Sequence, residues 1–548
     1  MDFYPSAGMA RLALYAVSPF ILLAIGLLVT RLVTTLNYYR ALQQFKDSGP
    51  GGQRIVTPPA IPYTIPWLGH TLPFLTSNPG KFWDALFRWY PRSTGVCTLL
   101  VGGRKTHVVI STAAVQAMFK AKSPSRDVFE HDMWRLVFRL PEHQAHNAES
   151  TKDTEHDINA QYMTSIDRVN ELTAQFTRVL EDVLRKDAAE ITKLDHIGLY
   201  EWLRDRMFIA SCTALFGEKI IQMYPQFCND FYEFDVDFLK FFFRLPTFMM
   251  KEGYARQERM YANLARWNAE MHRLSGGSPV DPEGPAYEPL FGSRLNRARQ
   301  IGYKLRGLDA RSSAALDVGI TFALSSNVVP ITGWMLYHII DPKAPETLLP
   351  RVLAEIKDAC KADGSLDIAT LVSQPCLQSI WTETLRMYTD VLITRNLPED
   401  ITLPLDEDGK RLVQLRKGDN LFAPSWLSHH DPTAWSDESS PPDVFDADRF
   451  LSKDAKTGKD TFSMRRSTAK FRPFGGGKTI CPGRIFAKQE GIGAVAMVLL
   501  KFDLDVKGFV DINKKPTGDF PGLKPALPGT AGLVPGGDML VKVRLRQQ

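Results

Sequence analysis

The sequence is poor in features that mark several common protein classes. Its six cysteines form no Cys-x-x-Cys pair and no cluster, which argues against a structural zinc site or a disulfide framework and fits a reducing compartment. No Asn-x-Ser/Thr acceptor occurs, which agrees with a body outside the secretory lumen. The formal net charge is only +5 over 548 residues, so the charge balance does not point to nucleic acid. With no internal repeat or low-complexity linker, one large domain plus an anchor is compatible with the length.

A long apolar run lies near the N-terminus. Leu12 to Thr30 is nineteen residues without a charge, and at about 1.5 Å per residue such a helix crosses a bilayer core of about 30 Å. More lysine and arginine follow the run than precede it, which places the body on the cytosolic side. We therefore predict a membrane anchor over residues 1–33.

Composition divides the rest of the chain. Residues 49–69 are dense in proline and glycine, and we predict a stiff, extended hinge over residues 34–69. We predict one large domain over residues 70–548. Within it, residues 95–112 have the pattern of a β-hairpin, and beyond residue 150 most of the periodicity is helical. The predicted fold class is mainly α with a small β region.

The segment Phe231–Met250 contains seven phenylalanines. One interpretation is a buried helix. The other is a surface that lies on the membrane and admits apolar molecules, because cationic residues accompany the aromatic ones. The sequence leaves both open.

The segment Phe474–Arg484 combines a glycine-rich turn with a cysteine. Cys481 precedes a long apolar helical pattern, and Pro482 suits the first position of that helix. A thiolate there is stabilised by the helix dipole and by backbone N–H groups. Such a sulfur is suited to bind a haem iron as an axial ligand. The alternative is a buried, inert cysteine after a tight turn.

A second informative helix is predicted over residues 311–340, which are apolar nearly all round. Pro330 lies inside it, lacks an N–H and clashes with the carbonyl of Ser326. We therefore expect the helix to open at Ser326 and Asn327, leaving polar groups for a ligand or water.

The pattern Phe-x-x-Gly-x-x-x-Cys-x-Gly, filled by Phe474, Gly477, Cys481 and Gly483, resembles the haem-binding loop of the cytochromes P450. The resemblance implies the P450 fold with one haem b and Cys481 as the iron ligand. Further motifs stand at the expected distances upstream.

Two of these motifs are polar. The segment Glu383-x-x-Arg386 resembles the family's Glu-x-x-Arg pair, and Arg449 resembles the arginine that completes a structural cluster with it. Arg395 stands where relatives use an arginine to hold a haem propionate. Trp134, with Arg135 or Arg139, resembles further haem-edge contacts, although an ordinary amphipathic helix explains these residues as well.

The helix predicted over residues 311–340 resembles the family's distal helix, which crosses the haem face opposite the cysteine. Its sequence departs from the family pattern. Most members carry an acid followed by a threonine that support proton delivery, whereas this chain has Ser326 and Asn327 in those positions. We treat both as candidate catalytic residues; the alternative for Asn327 is a side chain that only satisfies the opened backbone. Asn327 followed by Pro330 resembles the branch that contains the sterol 7α- and 12α-hydroxylases and prostacyclin synthase.

The resemblance implies a membrane-bound monooxygenase of the endoplasmic reticulum. It would oxidise a lipophilic molecule such as a terpenoid, steroid or polyketide with O₂. The pathway that we predict for it is secondary metabolism. No flavin- or nicotinamide-binding segment is visible, so electrons from NADPH would come through a separate cytochrome P450 reductase. Basic residues around the cysteine loop either dock that acidic partner or form a solvated surface: Lys470, Arg472, Lys478, Arg484 and Lys488.

Two other functions stay open at this point. One is a haem-thiolate isomerase or dehydratase that acts on a peroxide without a reductase. The other is a membrane-anchored haem or sterol binder without turnover. The segment His429–Pro432 resembles a structural turn of the family, and adjacent histidines on a strand point to opposite faces, so we do not predict a metal site there.

Overall fold

The computed structural model describes residues 7–46, 53–149, 152–435, 440–464 and 469–547. The chain forms two compact units. The first comprises Met1–Arg126, Leu392–Leu427 and Leu527–Gly529, and the second Asp127–Val391, Ser428–Ala526 and Thr530–Gln548. The single domain over residues 70–548 stays a prediction.

Helices dominate the described residues, which confirms the predicted fold class. In chain order they are α1 Ala7–Lys46, α2 Thr71–Thr76, α3 Pro79–Trp89, α4 Thr112–Lys120, α5 Asp127–Asp132, α6 Glu142–Glu149, α7 Lys152–Met163, α8 Ile166–Ile191, α9 Leu199–Phe216, α10 Lys219–Met223, α11 Phe227–Phe242, α12 Lys251–Leu274, α13 Arg294–Leu305, α14 Ala310–Ser325, α15 Val328–Ile340, α16 Leu348–Asp358, α17 Ile368–Leu371, α18 Pro375–Tyr388, α19 Ser425–His429, α20 Pro432–Trp435 and α21 Arg484–Lys501.

The strands are short. They are β1 Arg54–Val56, β2 Val96–Val101, β3 Arg104–Val109, β4 Ile197–Gly198, β5 Tyr287–Glu288, β6 Gly292–Ser293, β7 Thr389–Asp390, β8 Leu392–Asn396, β9 Ile401–Pro404, β10 Arg411–Leu415, β11 Asn420–Pro424, β12 Leu451–Lys453, β13 Asp460–Phe462, β14 Phe502–Asp511, β15 Pro516–Thr517, β16 Ala531–Gly532 and β17 Gly537–Leu545.

The first unit contains two sheets, with strand orders β1-β10-β9 and β2-β3-β11-β8. The predicted hairpin is β2 and β3, which pair antiparallel with Val101 opposite Arg104. Gly102 and Gly103 both have positive φ values, of 57° and 74°, and this left-handed backbone is what makes glycine favourable in so tight a connection.

The second unit contains the large hydrophobic core and the remaining strands. Its main sheet has the order β15-β14-β17-β4, and β16 pairs with β7. The helix pair α14 and α15 passes through the core, where Val318, Val329 and Leu336 are fully buried. These two helices and α21 position the candidate site.

The anchor segment lies in α1, a helix of 40 residues. Its part Pro19–Phe45 is long and apolar enough to cross a membrane and is not buried. The helix continues to Lys46, so residues 34–46, which we assigned to an extended hinge, are helical. Beyond residue 52 the connector is largely irregular apart from β1, as its prolines require.

The two ends of the phenylalanine-rich segment Phe231–Met250 support different interpretations, a buried helix at one end and an exposed apolar surface at the other. In α11, Phe231, Phe234 and Phe241 are fully buried and belong to the core. Past the end of α11, Phe248 and Met249 are exposed, by 84% and 61%. The segment is therefore a core helix that ends in an exposed apolar tip.

Candidate functional site

The cysteine loop is closed by hydrogen bonds of its own backbone. The N–H of Cys481 donates to the carbonyl of Phe474 at 3.0 Å, and the carbonyl of Cys481 accepts from Arg484 Nη1 at 3.0 Å. Gly475 and Gly477 have φ values of 75° and 69°, in the left-handed region that other residues adopt at a cost. These two glycines allow the chain to fold back and present Cys481.

The position of Cys481 differs from that of every other cysteine. It is exposed, whereas the other five are buried or half-buried. Burial raises the pKa of Cys97 and of Cys376 to about 12, which keeps those thiols protonated and inert. Cys481 is therefore the thiol that is available to an external ligand.

The helix that follows the cysteine begins slightly later than predicted. It starts at Arg484, with Gly483 as the residue before its first turn, rather than at Pro482. The N–H of Ala487 bonds the carbonyl of Gly483 at 2.9 Å, so Gly483 sets the first turn. Cys481 still lies within three residues of the positive end of α21, where a thiolate is stabilised.

The predicted opening of the distal helix is confirmed. The helical pattern stops with α14 at Ser325 and resumes with α15 at Val328. Pro330 has no N–H to bond the carbonyl of Ser326, and the next bond, from Ile331 N to Asn327 O, is long at 3.4 Å. The break is thus a direct consequence of Pro330.

One stripe of this otherwise buried helix is accessible. Ala323 is exposed, and Gly319 and Asn327, four residues before and after it, are half-buried. Residues four apart share a helix face, and the adjoining positions Val318, Ile320 and Leu324 are buried. Gly319, Ala323 and Asn327 therefore form an accessible stripe along α14 and the break, and none of them has a large side chain.

The helix beyond the break packs directly on the helix that follows Cys481. Gly491 of α21 approaches α15 so closely that a β-carbon there would lie 3.1 Å from the Oγ1 of Thr332 and 2.6 Å from the ring of Trp381. A larger residue at position 491 would separate the two helices. This close approach fixes α21, and hence the loop before it, relative to the opened helix.

Ser326 and Asn327 have different partners, although they are adjacent. Ser326 Oγ donates to the carboxylate oxygen Oδ1 of Asp235 in α11 at 2.9 Å. Asn327 Oδ1 accepts from the backbone N–H of Gly532 in β16 at 3.0 Å, and a β-carbon on residue 532 would lie 2.8 Å from the Cα of Asn327. Asn327 thus satisfies a backbone N–H of β16 rather than the backbone opened by Pro330, and Ser326 contacts an acid that the sequence analysis did not single out.

The three residues of the polar motifs come together in one buried cluster. Arg386 forms two parallel bonds to Glu383, each 2.7 Å, and Arg449 Nε donates to Glu383 Oε1 at 2.9 Å. Glu383 and Arg386 are completely inaccessible to solvent. Both guanidinium groups also donate to backbone carbonyls, so the charges of the cluster are fully hydrogen-bonded.

The histidine pair has no metal-binding arrangement. His429 is fully buried, and its Nε2 accepts the N–H of Arg472 at 2.9 Å. Burial holds the pKa of His429 well below its usual value, so the ring is neutral and links two backbone segments. Among the described residues no group of three or more His, Cys, Asp or Glu side chains is arranged to hold a metal ion.

Arg395 lies in β8 of the first unit and is 5% exposed. Burial, and then the positive charge of Arg126, lower the pKa of Arg395 to about 10. Two guanidinium groups that repel each other are stabilised by an anion between them. Arg126 is a residue that the sequence analysis missed.

Trp134 lies in a π-helical turn, Met133–Val137, and packs against the distal helix, since a β-carbon at Gly319 would approach its ring to 3.3 Å. Of the two arginines considered with it, Arg135 pairs with Glu142 at 2.7 Å and Arg139 with Glu258 at 3.1 Å. Both arginines are therefore engaged by carboxylates of the protein.

The basic residues around the cysteine loop do not form the continuous surface that their sequence positions suggest. Arg472 is buried, Lys470 pairs with Asp431 at 2.5 Å, and burial lowers the pKa of Lys488 to about 8. Lys478 is exposed, and Arg484 contacts the loop itself. The interpretation as a docking surface is therefore reduced to Lys478 with the accessible part of Arg484.

The comparisons with known proteins agree with this geometry. The sequence model of the cytochrome P450 family matches residues 325–529, which contain the distal break, the Glu383 cluster and the cysteine loop. The chain belongs to the cytochrome P450 family. Its fold is that of a P450: the crystal structure of the cytochrome P450DA heme domain is similar with a TM-score of 0.61 and 16% identity, over 90% of this chain and 98% of that one.

Relatives extend over most of this P450. The cytochrome P450 monooxygenase efuG of Hormonema carpetanum is 27% identical over 89% of this chain and 91% of its own length. The cholesterol 7-alpha-monooxygenase of Cricetulus griseus is 28% identical over 82% of this chain and 87% of its own. The protein is a cytochrome P450 monooxygenase, and its family and fold imply a haem with cysteine thiolate ligation.

The residues of this P450 fit such a group. Cys481 offers one accessible soft sulfur, the ligand type that haem iron takes in this class. The accessible stripe at Gly319, Ala323 and Asn327 carries no large side chain that would fill the space over a flat ring.

Proposed function

We propose that this P450 binds haem b through Cys481 and oxidises a lipophilic small molecule with O₂ and electrons from NADPH. The observation that carries the proposal is the accessible Cys481 thiol, held in a loop with the family pattern in a chain whose other cysteines are buried or half-buried. When bound, the haem supplies the oxidative chemistry, and a thiolate ligand favours O–O cleavage.

The protein's own residues would hold and enclose the group. The backbone of Phe474, Gly477 and Gly483 shapes the loop that presents the sulfur, and Trp134 packs on the distal helix at the edge of the accessible stripe. Arg395, beside Arg126, is our candidate for a propionate partner. The cluster of Glu383, Arg386 and Arg449 would keep the region around α18 fixed rather than take part in the reaction.

The overall reaction that we propose consumes one O₂, one NADPH and one proton for each substrate. One oxygen atom enters the substrate and the other leaves as water, while NADPH is oxidised to NADP⁺. Because two protons are needed for that water, the protein must conduct protons to the distal side of the site. Our candidates for the end of such a path are the residues at the break of the distal helix.

The apolar surfaces support our proposals for the substrate class and for the place of the protein in the cell. The exposed helix Pro19–Phe45 would anchor the protein in the endoplasmic reticulum membrane, with the body in the cytosol. The exposed tip at Phe248 and Met249 would touch the same membrane. A terpenoid, steroid or polyketide that dissolves in lipid fits this location, and a relative named for cholesterol makes that sterol a suitable first probe.

The requirement for electrons from a separate protein gives the test. Full-length protein reconstituted with haem, NADPH and a cytochrome P450 reductase under carbon monoxide should develop the red-shifted Soret band of a thiolate-ligated haem. Omission of the reductase should abolish the band, while dithionite should restore it. Product from an added lipid hydroperoxide without NADPH or reductase, together with no NADPH consumption, would instead establish the peroxide isomerase.

A further inference from the structure

The acid that the distal helix lacks is present on another helix. Position 326 holds serine where most P450s carry a carboxylate, and that serine donates its hydrogen bond to Asp235 Oδ1 at 2.9 Å. Asp235 belongs to α11, which packs on α14 through Phe238, whose ring stacks on Phe322 with 4.2 Å between centroids. Phe322 lies one helical turn before Ser326, so this stack places α11 beside the break.

Asp235 faces inward by its position in α11. The buried side chains Phe231, Phe234 and Phe241 repeat every three or four residues, which defines the core face of the helix. Asp235 and Phe238 continue that face. An acid at such a position is costly unless it is hydrogen-bonded or has a function.

The other acids of α11 are paired with arginines. Asp230 pairs with Arg259, and Glu233 and Asp237 both pair with Arg256. Each of these carboxylates therefore has a guanidinium partner. Asp235 is different, because the hydrogen bond that the structure gives it comes from a neutral hydroxyl.

The surroundings of Asp235 allow its carboxyl to gain and lose a proton near neutrality. Burial raises its pKa to about 6, against the hydrogen bond from Ser326 and the positive charge of Lys524, which lower it. The phenols of Tyr200 in α9 and Tyr232 in α11 also lie within electrostatic reach, and both remain neutral because burial raises their pKa values. Lys524 is itself half-buried and its pKa is lowered by burial.

The break in the distal helix offers a place where a proton could pass from Ser326 to water. Pro330 leaves the carbonyl of Ser326 without its helical N–H partner, and the half-buried side chain of Asn327 and the exposed Ala323 mark the open space next to it. The hydroxyl of Ser325 is buried and has no hydrogen-bond partner among the described residues. A water bound at this opening would be satisfied by these groups.

We infer that Asp235 is the carboxylic acid of the proton path in this P450 and that it acts through the hydroxyl of Ser326, in place of the acid that most relatives carry on the distal helix. In each transfer, Asp235 gives its proton to Ser326 Oγ while the Ser326 hydroxyl proton passes to water at the break. Asp235 then recovers a proton from the side of Lys524 and solvent. This inference rests on the proposed function.

The test separates electron delivery from proton delivery. Formation of the carbon monoxide band under NADPH and saturating reductase needs an electron but no proton, whereas NADPH oxidation that reduces O₂ to hydrogen peroxide or water, without added substrate, needs both. We expect Asp235→Asn to form the band at the rate of the wild type but to oxidise NADPH roughly 100-fold more slowly, the lower end of the range for loss of a general acid. Its solvent deuterium isotope effect should rise.

The same helix offers a matched control. Asp237→Asn changes the same residue type two positions further along α11, where the carboxylate pairs with Arg256 and Lys240 and does not face the break. This variant should oxidise NADPH like the wild type. Ser326→Ala should lose as much rate as Asp235→Asn, and the double variant should lose no more, because the two residues act in series. Adding Ser326→Asp to Asp235→Asn, which restores the family's acid, should recover the rate.

Infrared spectroscopy of the resting protein gives a readout without turnover. A protonated carboxyl band should titrate near pH 6, vanish in Asp235→Asn and change frequency in Ser326→Ala. Equal NADPH oxidation in Asp235→Asn, Asp237→Asn and the wild type, with the carbon monoxide band intact, would overturn the inference and leave the proposed function standing. A wild type that forms no such band would overturn the proposed function, which is a separate observation.

Discussion

Two polar clusters in the second unit show how differently a buried acid can be treated. Glu383 is bonded by two arginines and is completely inaccessible, while Asp235 receives one hydrogen bond from a serine and keeps part of its surface accessible. In the first cluster each charge has several partners, so no proton can move without breaking the cluster. In the second, the carboxyl has a raised pKa and is hydrogen-bonded to the serine at the break of the distal helix.

The difference teaches which cluster holds the fold and which is available for chemistry. A buried ion-pair cluster stabilises the fold only as long as every partner is present. A single carboxyl that changes its protonation state contributes little to stability, and its replacement by the isosteric amide should be tolerated. The predictions below test this contrast.

The largest effect is expected from opening the closed cluster. Glu383→Ala leaves the buried guanidinium groups of Arg386 and Arg449 without their carboxylate, which should lower the free energy of unfolding by about 3–5 kcal/mol. Chemical denaturation of the purified protein measures this loss. The matched control is Asp182→Ala, which removes an exposed Asp–Arg pair of the same three-residue spacing and should cost less than about 1 kcal/mol. Equal losses would mean that the Glu383 cluster does not hold the fold.

A smaller effect is expected at the break itself. Asn327→Ala removes the side-chain oxygen that accepts the N–H of Gly532 at 3.0 Å and should lower the free energy of unfolding by about 1 kcal/mol. The rate of NADPH oxidation should fall much less than in Ser326→Ala. A loss of rate larger than that of Ser326→Ala, with stability unchanged, would assign the proton path to Asn327 and not to Asp235.

The smallest effect concerns pH. The folded-state pKa of Asp235 is raised to about 6, above the value of about 4 for an unfolded aspartate. As the pH rises, the unfolded chain therefore loses this proton before the folded protein does. The free energy of unfolding of the wild type falls between about pH 4 and pH 6 for this reason, and this contribution stays constant at higher pH. Asp235→Asn lacks this loss and should be more stable than the wild type at pH 8 by about 1 kcal/mol, once solvent access is allowed for. Thermal unfolding at pH 4.5 and pH 8 measures the difference, and destabilisation at pH 8 would show that Asp235 is a structural ion like Glu383.

The sequence predicted those parts of the site that depend on local chemistry. Pro330 dictates the opening of the distal helix wherever that helix packs, and Gly475 and Gly477 permit the turn before Cys481. Glu383 and Arg386 share one helix face, so their pairing follows from spacing alone.

The remainder depends on contacts between segments that are far apart in the chain. Asp235 precedes Ser326 by about ninety residues, and only the packing of α11 on α14 brings them together. The signal that would have found it is an acid on the apolar face of a phenylalanine-rich helix. The same reason explains two differences between the sequence expectation and the structure. The accessibility of Arg472 and Lys488 is set by neighbouring elements. The helicity of residues 34–46 is set by the continuation of a long helix through polar positions.

The central claim, that Cys481 is the haem ligand, is tested most directly by the absorption spectrum of the dithionite-reduced protein under carbon monoxide. The wild type should show the red-shifted Soret band of a thiolate-ligated haem. Cys481→Ala should lose that band, and Cys360→Ala, which removes a half-buried cysteine elsewhere in the fold, should keep it. A folded, haem-loaded wild type without the band, or a Cys481→Ala variant that retains it, would contradict the account.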